Sequence, residues 1–227
     1  MIRDLRNLPE EINLCLLSLC QRFGKDMVFT SSLSKEDQII THIIATELLP
    51  IAIVTLDTGR HFPEFYELWQ RTESKLGITI KSFNPNGIEV EKFVRQNGIN
   101  GFYNSVGARK SCCKIRKVLP LQRALAGKKL WITGLRSAQS DNRLNMKRFE
   151  KGDDIIKYNP LIDWNDAQVD AYITEFSIPI NPLHSKGFAS IGCAPCTRAI
   201  SPGEHPRDGR WWWENSKKEC GLHMQQP

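Results

Sequence analysis

Long apolar stretches are missing from this chain. The longest, around Leu48 to Leu56, is broken by Pro50 and Thr55. It falls far short of the roughly 20 apolar residues a bilayer-crossing helix needs. No internal repeat or low-complexity linker is present, and nothing in the composition suggests collagen, a coiled coil or wholesale disorder. The N-terminus, M-I-R-D-L-R-N-L-P-E-E-I-N, has no uninterrupted apolar core and carries three acids, so neither a secretory signal nor an organellar transit peptide is expected. No G-x-x-x-x-G-K-[ST] stretch occurs, which excludes a Walker-type nucleoside triphosphatase. Acidic residues are also short. Twenty-five Asp and Glu face 31 Lys and Arg, leaving a net charge of +6. The basic excess sits in short clusters beside Gly, Cys and Trp, not in one polybasic run. That pattern favours a localised anion site over a nucleic-acid face.

What is present fits a soluble globular protein. The 227 residues are 41% hydrophobic and 25% charged, a length that suggests one sizeable α/β domain with an appendage. Helical spacing covers Glu10 to Phe23, Lys35 to Leu48 and Pro63 to Leu76, with Pro63 near a helix start. Strands are expected at Met27 to Ser31, Ile51 to Leu56, Ile78 to Phe83 and Lys129 to Thr133. This alternation predicts an α/β fold with a mostly parallel central sheet flanked by helices. Beyond about residue 150 a strand within Asp153 to Leu161 and a short helix at Asp166 to Glu175, capped by Asp163 or Asn165, are expected. From Pro179 onward Pro, Gly, Cys and Trp crowd together, which predicts an irregular C-terminal tail. The division expected is 1–200 for the α/β body with a metal site and 201–227 for a mobile segment.

Seven cysteines in a chain without a secretory signal point to thiol or metal chemistry in a reducing compartment, the cytosol. Cys15 and Cys20 lie within the first helix and read as small hydrophobes on its buried face. Cys112 and Cys113 are adjacent, just before a helical segment Lys114 to Leu125, while Cys193 and Cys196 form C-A-P-C. Tetrahedral zinc usually draws ligands spaced by two to four residues. A four-iron cluster spreads its sulfurs farther apart, so neighbouring cysteines can reach two corners. The doublet therefore favours iron–sulfur over zinc or a thioredoxin-like redox pair. Lys110, Lys114, Arg116 and Lys117 surround it and would offset thiolate charge.

Three loops fall where the carboxyl edge of a parallel sheet should lie: S-S-L-S-K-E-D from Ser31, L-D-T-G-R from Leu56 and T-G-L-R from Thr133. Ligands of open α/β sheets bind along that edge, and a helix N-terminus beginning near Lys35 suits phosphate. The tail, H-P-R-D-G-R-W-W-W-E-N-S-K-K-E-C-G-L-H, is as informative. Three consecutive tryptophans cannot all face a core, so at least one should pack over a partner surface. Cys220 sits among Lys217, Lys218 and His223, cations that stabilise a thiolate and make it nucleophilic.

Together these segments resemble the assimilatory adenylylsulfate (APS) reductase family, the iron–sulfur branch of the APS/PAPS reductases. The motifs L-D-T-G-R, S-C-C-K-I-R-K, W-I-T-G-L-R, I-G-C-A-P-C-T-R, G-R-W-W-W-E and E-C-G-L-H carry the likeness, from about Asp26 to Met224. The resemblance implies an adenine-nucleotide α-hydrolase-like fold and a [4Fe–4S] cluster on Cys112, Cys113, Cys193 and Cys196. It implies Cys220 as the nucleophile. Lys117 would lie between cluster and substrate, and Arg136, Arg143, Arg207 and Arg210 would clamp the phosphosulfate. Ser31, Ser32 and Ser34, with Asp57, Thr58, Gly59 and Arg60, would hold the adenosine part, and Gly134 belongs to the third loop. One departure stands out: the family's usual glycine in the first loop is Ser34 here.

The implied reaction reduces adenylylsulfate to sulfite and AMP through an S-sulfonated Cys220, in sulfate assimilation and cysteine biosynthesis. No thioredoxin-like domain is expected after Pro227, so thioredoxin or a glutaredoxin-like dithiol is expected from outside. No nucleic acid or membrane partner is expected, and self-association into a homo-oligomer stays open. The nearest alternative is PAPS, or both nucleotides, as substrate. An ATP pyrophosphatase-type adenylating enzyme is a different class, but its S-G-G-x-D-S loop is absent. A nucleic-acid-binding zinc module would leave the sheet-edge loops and Cys220 unexplained.

Overall fold

The computed structural model describes residues 8–140 and 143–214. Its elements run α1 (Leu8–Phe23), β1 (Met27–Thr30), α2 (Lys35–Thr46), β2 (Ala52–Leu56), α3 (Pro63–Leu76), β3 (Lys81–Phe83), α4 (Gly87–Asn97) and α5 (Val106–Cys113). A π-helical turn at Lys114–Val118 joins α5 to α6 (Leu119–Leu125), followed by β4 (Leu130–Ile132), β5 (Phe149–Lys151), β6 (Ile156–Tyr158) and α7 (Asp166–Glu175).

The six strands order as β3-β2-β1-β4-β6-β5. β1 pairs in parallel with β2 (Phe29 opposite Ile53) and with β4 (Phe29 opposite Ile132), and β4 pairs in parallel with β6. β5 runs antiparallel, as a hairpin with β6. The fold is thus the mostly parallel α/β sheet expected. Val28, Phe29, Leu130 and Ile132 are buried from both sides, as parallel strands between helix layers must be. Ile39, Ile40 and Ile43 of α2 and Leu68 of α3 bury the facing helix stripes. On α1, Ile12 and Leu16 are buried, while Cys15 and Cys20 are only half-buried.

Several boundaries differ from expectation, each for a local reason. The strand expected at Ile78 to Phe83 shrinks to Lys81–Phe83, because the Glu73 side chain takes the Ile80 N–H (2.6 Å). The segment Asp153 to Leu161 supplies only Ile156–Tyr158; a tight turn with Gly152 N–H on Ile155 C=O (3.0 Å) precedes it. Asn165, not Asp163, caps α7: its side chain accepts the Gln168 N–H, and Gln168 returns the bond. The cysteine doublet closes α5 and leads directly into the helical segment expected at Lys114 to Leu125, while α4, α5 and β5 were not anticipated.

The chain divides into two units. The first comprises 1–55, 67–81 and 127–181; the second comprises 56–66, 82–126 and 182–227. Among the described residues, no helix is long and apolar enough to cross a membrane.

Candidate active site

In the first unit, the loop after β1 is built around Asp37. Its carboxylate accepts both the Ser32 N–H and the Ser32 hydroxyl at 2.6 Å, and burial pushes its pKa up to about 6. Ser34 caps α2 by accepting the Asp37 N–H (3.3 Å). The loop's left-handed residue is Leu33 (φ 57°), not Ser34 (φ −67°), so the serine that replaces the family glycine needs no positive φ here. Gly134 lies against the same carboxylate: a Cβ there would come 2.2 Å from Asp37 Oδ1. Arg136 is buried, donating to Glu36 (2.8 Å), Trp164 C=O (2.9 Å) and Asp166 (2.6 Å). Arg143 donates to the Gln139 side chain.

In the second unit, Asp57 shapes the loop after β2, accepting the Gly59 N–H and the Tyr66 O–H, both at 2.8 Å; Gly59 takes φ +65°. Thr58 is fully buried. Its hydroxyl accepts the Arg60 N–H (3.2 Å) and lies 3.3 Å from Cys193 Sγ. Arg60 donates to Ile99 C=O (2.6 Å) and lies over the Phe102 ring (5.3 Å). Arg116 donates to Thr58 C=O (2.6 Å).

One cavity in this unit is lined by all four cysteines of the doublet and C-A-P-C, by Arg60, Arg109, Arg116 and Lys117, and by Phe102 and Pro195. Burial pushes the Cys196 thiol up to about 12 and raises Cys112 as well, the latter against the pull of Arg116. Among the described residues, no three His, Cys, Asp or Glu side chains converge closely enough to hold a single metal ion. Trp211 is buried beside Cys196 and Phe102, and Trp213 packs against that group, while Trp212 is 40% exposed. The indole N–H groups of Trp211 and Trp213 and the Arg210 Nε–H are buried without an acceptor.

Residues 197–214 are tied to this cavity. Thr197 and Arg210 form an antiparallel bridge, and Trp211 N–H donates to Cys196 C=O (3.2 Å). Arg210 passes over Gly192, where any Cβ would clash with its guanidinium (2.3 Å). Arg207 closes a turn, its C=O accepting the Arg210 N–H (3.0 Å). Cys220 lies outside the described residues.

The phosphoadenosine phosphosulfate reductase domain family matches residues 26–199. This chain belongs to that family. It is 51% identical to an adenosine 5'-phosphosulfate reductase of Agrobacterium fabrum, over 92% of this chain and 81% of the relative. An enzyme of the same name from Burkholderia cepacia is 47% identical, over 95% of this chain and 87% of its own length. Among solved structures, a phosphoadenylyl-sulfate reductase of Candida auris in a phosphate complex superposes with a TM-score of 0.69 at 26% identity, covering 86% of this chain and 96% of that one. Yeast FAD synthetase shares the fold at a TM-score of 0.60, 16% identity and coverage of 86% and 67%.

The expected site residues therefore fall into two groups. Ser31, Ser32, Ser34, Gly134, Arg136 and Arg143 belong to the first unit. Asp57, Thr58, Gly59, Arg60, Lys117, Arg207, Arg210 and the four cysteines belong to the second. Three residues escaped the sequence reading. Arg109 lies one turn before Cys113 and lines the cavity, a signal available from helical spacing. Glu214 pairs with it. His61 stacks on Phe65 at 3.9 Å, and burial, helped by Lys117, drives its pKa down to about 4.

Proposed function

We propose that this reductase converts adenylylsulfate to sulfite and AMP, with a thiolate of its own chain as the first acceptor of the sulfonyl group. The observation that carries the reading is near-50% identity to enzymes named for that substrate, across nearly the whole chain. Ser31, Ser32, Ser34 and Gly134 belong to the loop-and-helix-terminus geometry that suits nucleotide oxygens. Arg143 is assigned to anion binding. Arg136, committed to Glu36, Asp166 and Trp164, serves that loop by holding Glu36 in place. Asp57, Thr58, Gly59 and Arg60 are assigned to the nucleotide, and Lys117, Arg207 and Arg210 to the phosphosulfate.

The cofactor proposed is a [4Fe–4S] cluster on Cys112, Cys113, Cys193 and Cys196. Four thiols on one cavity without single-ion spacing suit a group larger than zinc, and the indole N–H groups of Trp211 and Trp213, packed in the same cluster as Cys196, are buried donors without an acceptor among the described residues. When bound, it would hold the two cysteine pairs together and set the local field.

In the proposed reaction the Cys220 thiolate attacks the sulfur of adenylylsulfate, an S–S bond forms, and the S–O bond to AMP breaks. Lysine and arginine offset the repulsion of an anion approaching an anion. An external dithiol of the thioredoxin class then attacks the Cys220 sulfur, releasing sulfite; its second thiol regenerates Cys220, and the dithiol leaves oxidised. Free thiols of this kind suit a reducing compartment such as the cytosol.

The test compares sulfite release from adenylylsulfate and from PAPS with thioredoxin as reductant. The expected outcome is turnover of adenylylsulfate by wild type and none by Cys220→Ser. Without reductant, Cys220 should gain about 80 Da, one SO3, as a covalent intermediate requires. Preference for PAPS, or the mass on another cysteine, overturns the corresponding assignment. Stoichiometric zinc without sulfide in anaerobically purified protein removes the cluster.

A further inference from the structure

Arg109 and Glu214 form the most enclosed ion pair described in the second unit. Their side chains are 2% and 4% exposed, and two parallel bonds join them, Nε to Oε1 at 3.0 Å and Nη2 to Oε2 at 2.9 Å. The Arg109 guanidinium also lies 4.6 Å from the centre of the Trp211 ring, with Arg210 4.7 Å from the same ring. Glu214 closes the turn after the tryptophans, its N–H donating to Trp211 C=O (2.9 Å). Burying two charges costs about as much as their attraction returns, so stability alone explains such a pair poorly. A bidentate guanidinium–carboxylate fork does fix position and direction, which is where arginine outperforms lysine.

The two partners sit at telling places. Arg109 is on α5, the helix that ends in Cys112 and Cys113. Glu214 is six residues before Cys220. We propose that the Arg109–Glu214 pair is a positioning latch for the C-terminal nucleophile, pinning the chain before Cys220 to the helix that carries the cysteine doublet. The proposal rests on the reading of Cys220 as nucleophile. Six extended residues span at most about 20 Å, so the latch confines Cys220 to a short tether. With the latch open, the next anchors among the described residues are the Trp211–Cys196 backbone bond and the Thr197–Arg210 bridge. Counted from those anchors the tether is longer by half or more, and the effective concentration of the thiolate falls.

The test uses the full chain, purified anaerobically, with Glu214→Gln, Arg109→Gln, Arg109→Lys and the double Gln variant. Sulfonation of Cys220 is followed by mass in a single turnover at saturating adenylylsulfate without reductant. Both single Gln variants should slow it by at least about fivefold while KM stays within about twofold, because the latch orients an attacking group and does not bind substrate. Arg109→Lys should recover part of the rate, and the double variant should be no slower than the slower single, as expected of two residues acting as one unit. Alkylation of Cys220 by iodoacetamide, without substrate, should speed up in the same variants. Wild-type sulfonation rates in Glu214→Gln and Arg109→Gln overturn the latch. Loss of iron from both also overturns it, since the pair then supports the thiol cavity instead. If Cys220→Ser still forms sulfite, the nucleophile reading fails, and that failure is distinct from a sulfonated Cys220 indifferent to the latch.

Discussion

Burial shifts two titratable side chains toward their neutral forms, and they pull stability in opposite directions. Asp37 is raised from 3.8 to about 6 and His61 lowered from 6.5 to about 4. For Asp37 the folded state favours the proton, so its contribution is present below the unfolded value and is lost as pH rises to about 6. For His61 the folded state rejects the proton, so stability falls as pH drops from 6.5 to about 4. Each shift is worth at most about 3 kcal/mol, at 1.36 kcal/mol per unit. In wild type the two nearly cancel. Relative to wild type, Asp37→Asn should make denaturant stability climb more steeply between about pH 4 and 6.5, and His61→Gln should make it fall. Parallel curves for all three proteins would show that neither group is held as described. The single-residue environments were the least legible part of the sequence: His61 follows L-D-T-G-R directly, yet nothing in that string announces its stacking on Phe65 or its nearness to Lys117.

At the scale of elements, legibility followed periodicity. α3 at Pro63–Leu76 and α7 at Asp166–Glu175 match their expected spans, because a helix stripe and a cap both speak within a dozen residues. β1, β2 and β4 were readable as β-branched or apolar runs ending in loops. The misses have tertiary causes. β5 exists only through its antiparallel partner β6, and β3 is trimmed by the Glu73 side chain. The π-helical turn after Cys113, which carries Arg116 and Lys117, is a local departure from α-helix that no propensity encodes. The first loop gives an element-scale prediction. Gly134 leaves room for Asp37, which ties the loop to α2 through Ser32. Gly134→Ala should destabilise the protein by about 1–3 kcal/mol, the usual cost of overpacking, and raise KM for the nucleotide more than it lowers kcat. Ser34→Ala should cost only about 1 kcal/mol, the worth of a helix cap. Equal and small effects in thermal unfolding would mean that the loop relaxes around the added methyl group.

The whole molecule carries +6, and the lining of the thiol cavity shows where part of that excess goes. Arg60, Arg109, Arg116 and Lys117 face it, and among the described residues no carboxylate does. Arg109 is paired with Glu214 and Arg116 donates to Thr58 C=O, so Arg60 and Lys117 are the lining cations assigned here to the substrate. A positive cavity in a positive protein raises the encounter rate of an anionic nucleotide, and salt screens that advantage over a distance that shrinks from about 30 Å at 0.01 M to about 10 Å at 0.1 M. The chemical step occurs after binding, at short range, where mobile ions have little access. The expectation is therefore asymmetric. Raising KCl from about 10 to about 200 mM should lower kcat/KM for adenylylsulfate by roughly tenfold while leaving kcat within about twofold. Lys117→Gln should lower kcat/KM at low salt and flatten its slope against log salt by about one charge's share. The reductant step offers an internal control, since a saturating dithiol keeps it from limiting the rate. A kcat/KM that ignores salt, or a Lys117→Gln variant with the wild-type slope, would place the anion's approach away from this cavity and return the net charge to the role of a solubilising surface.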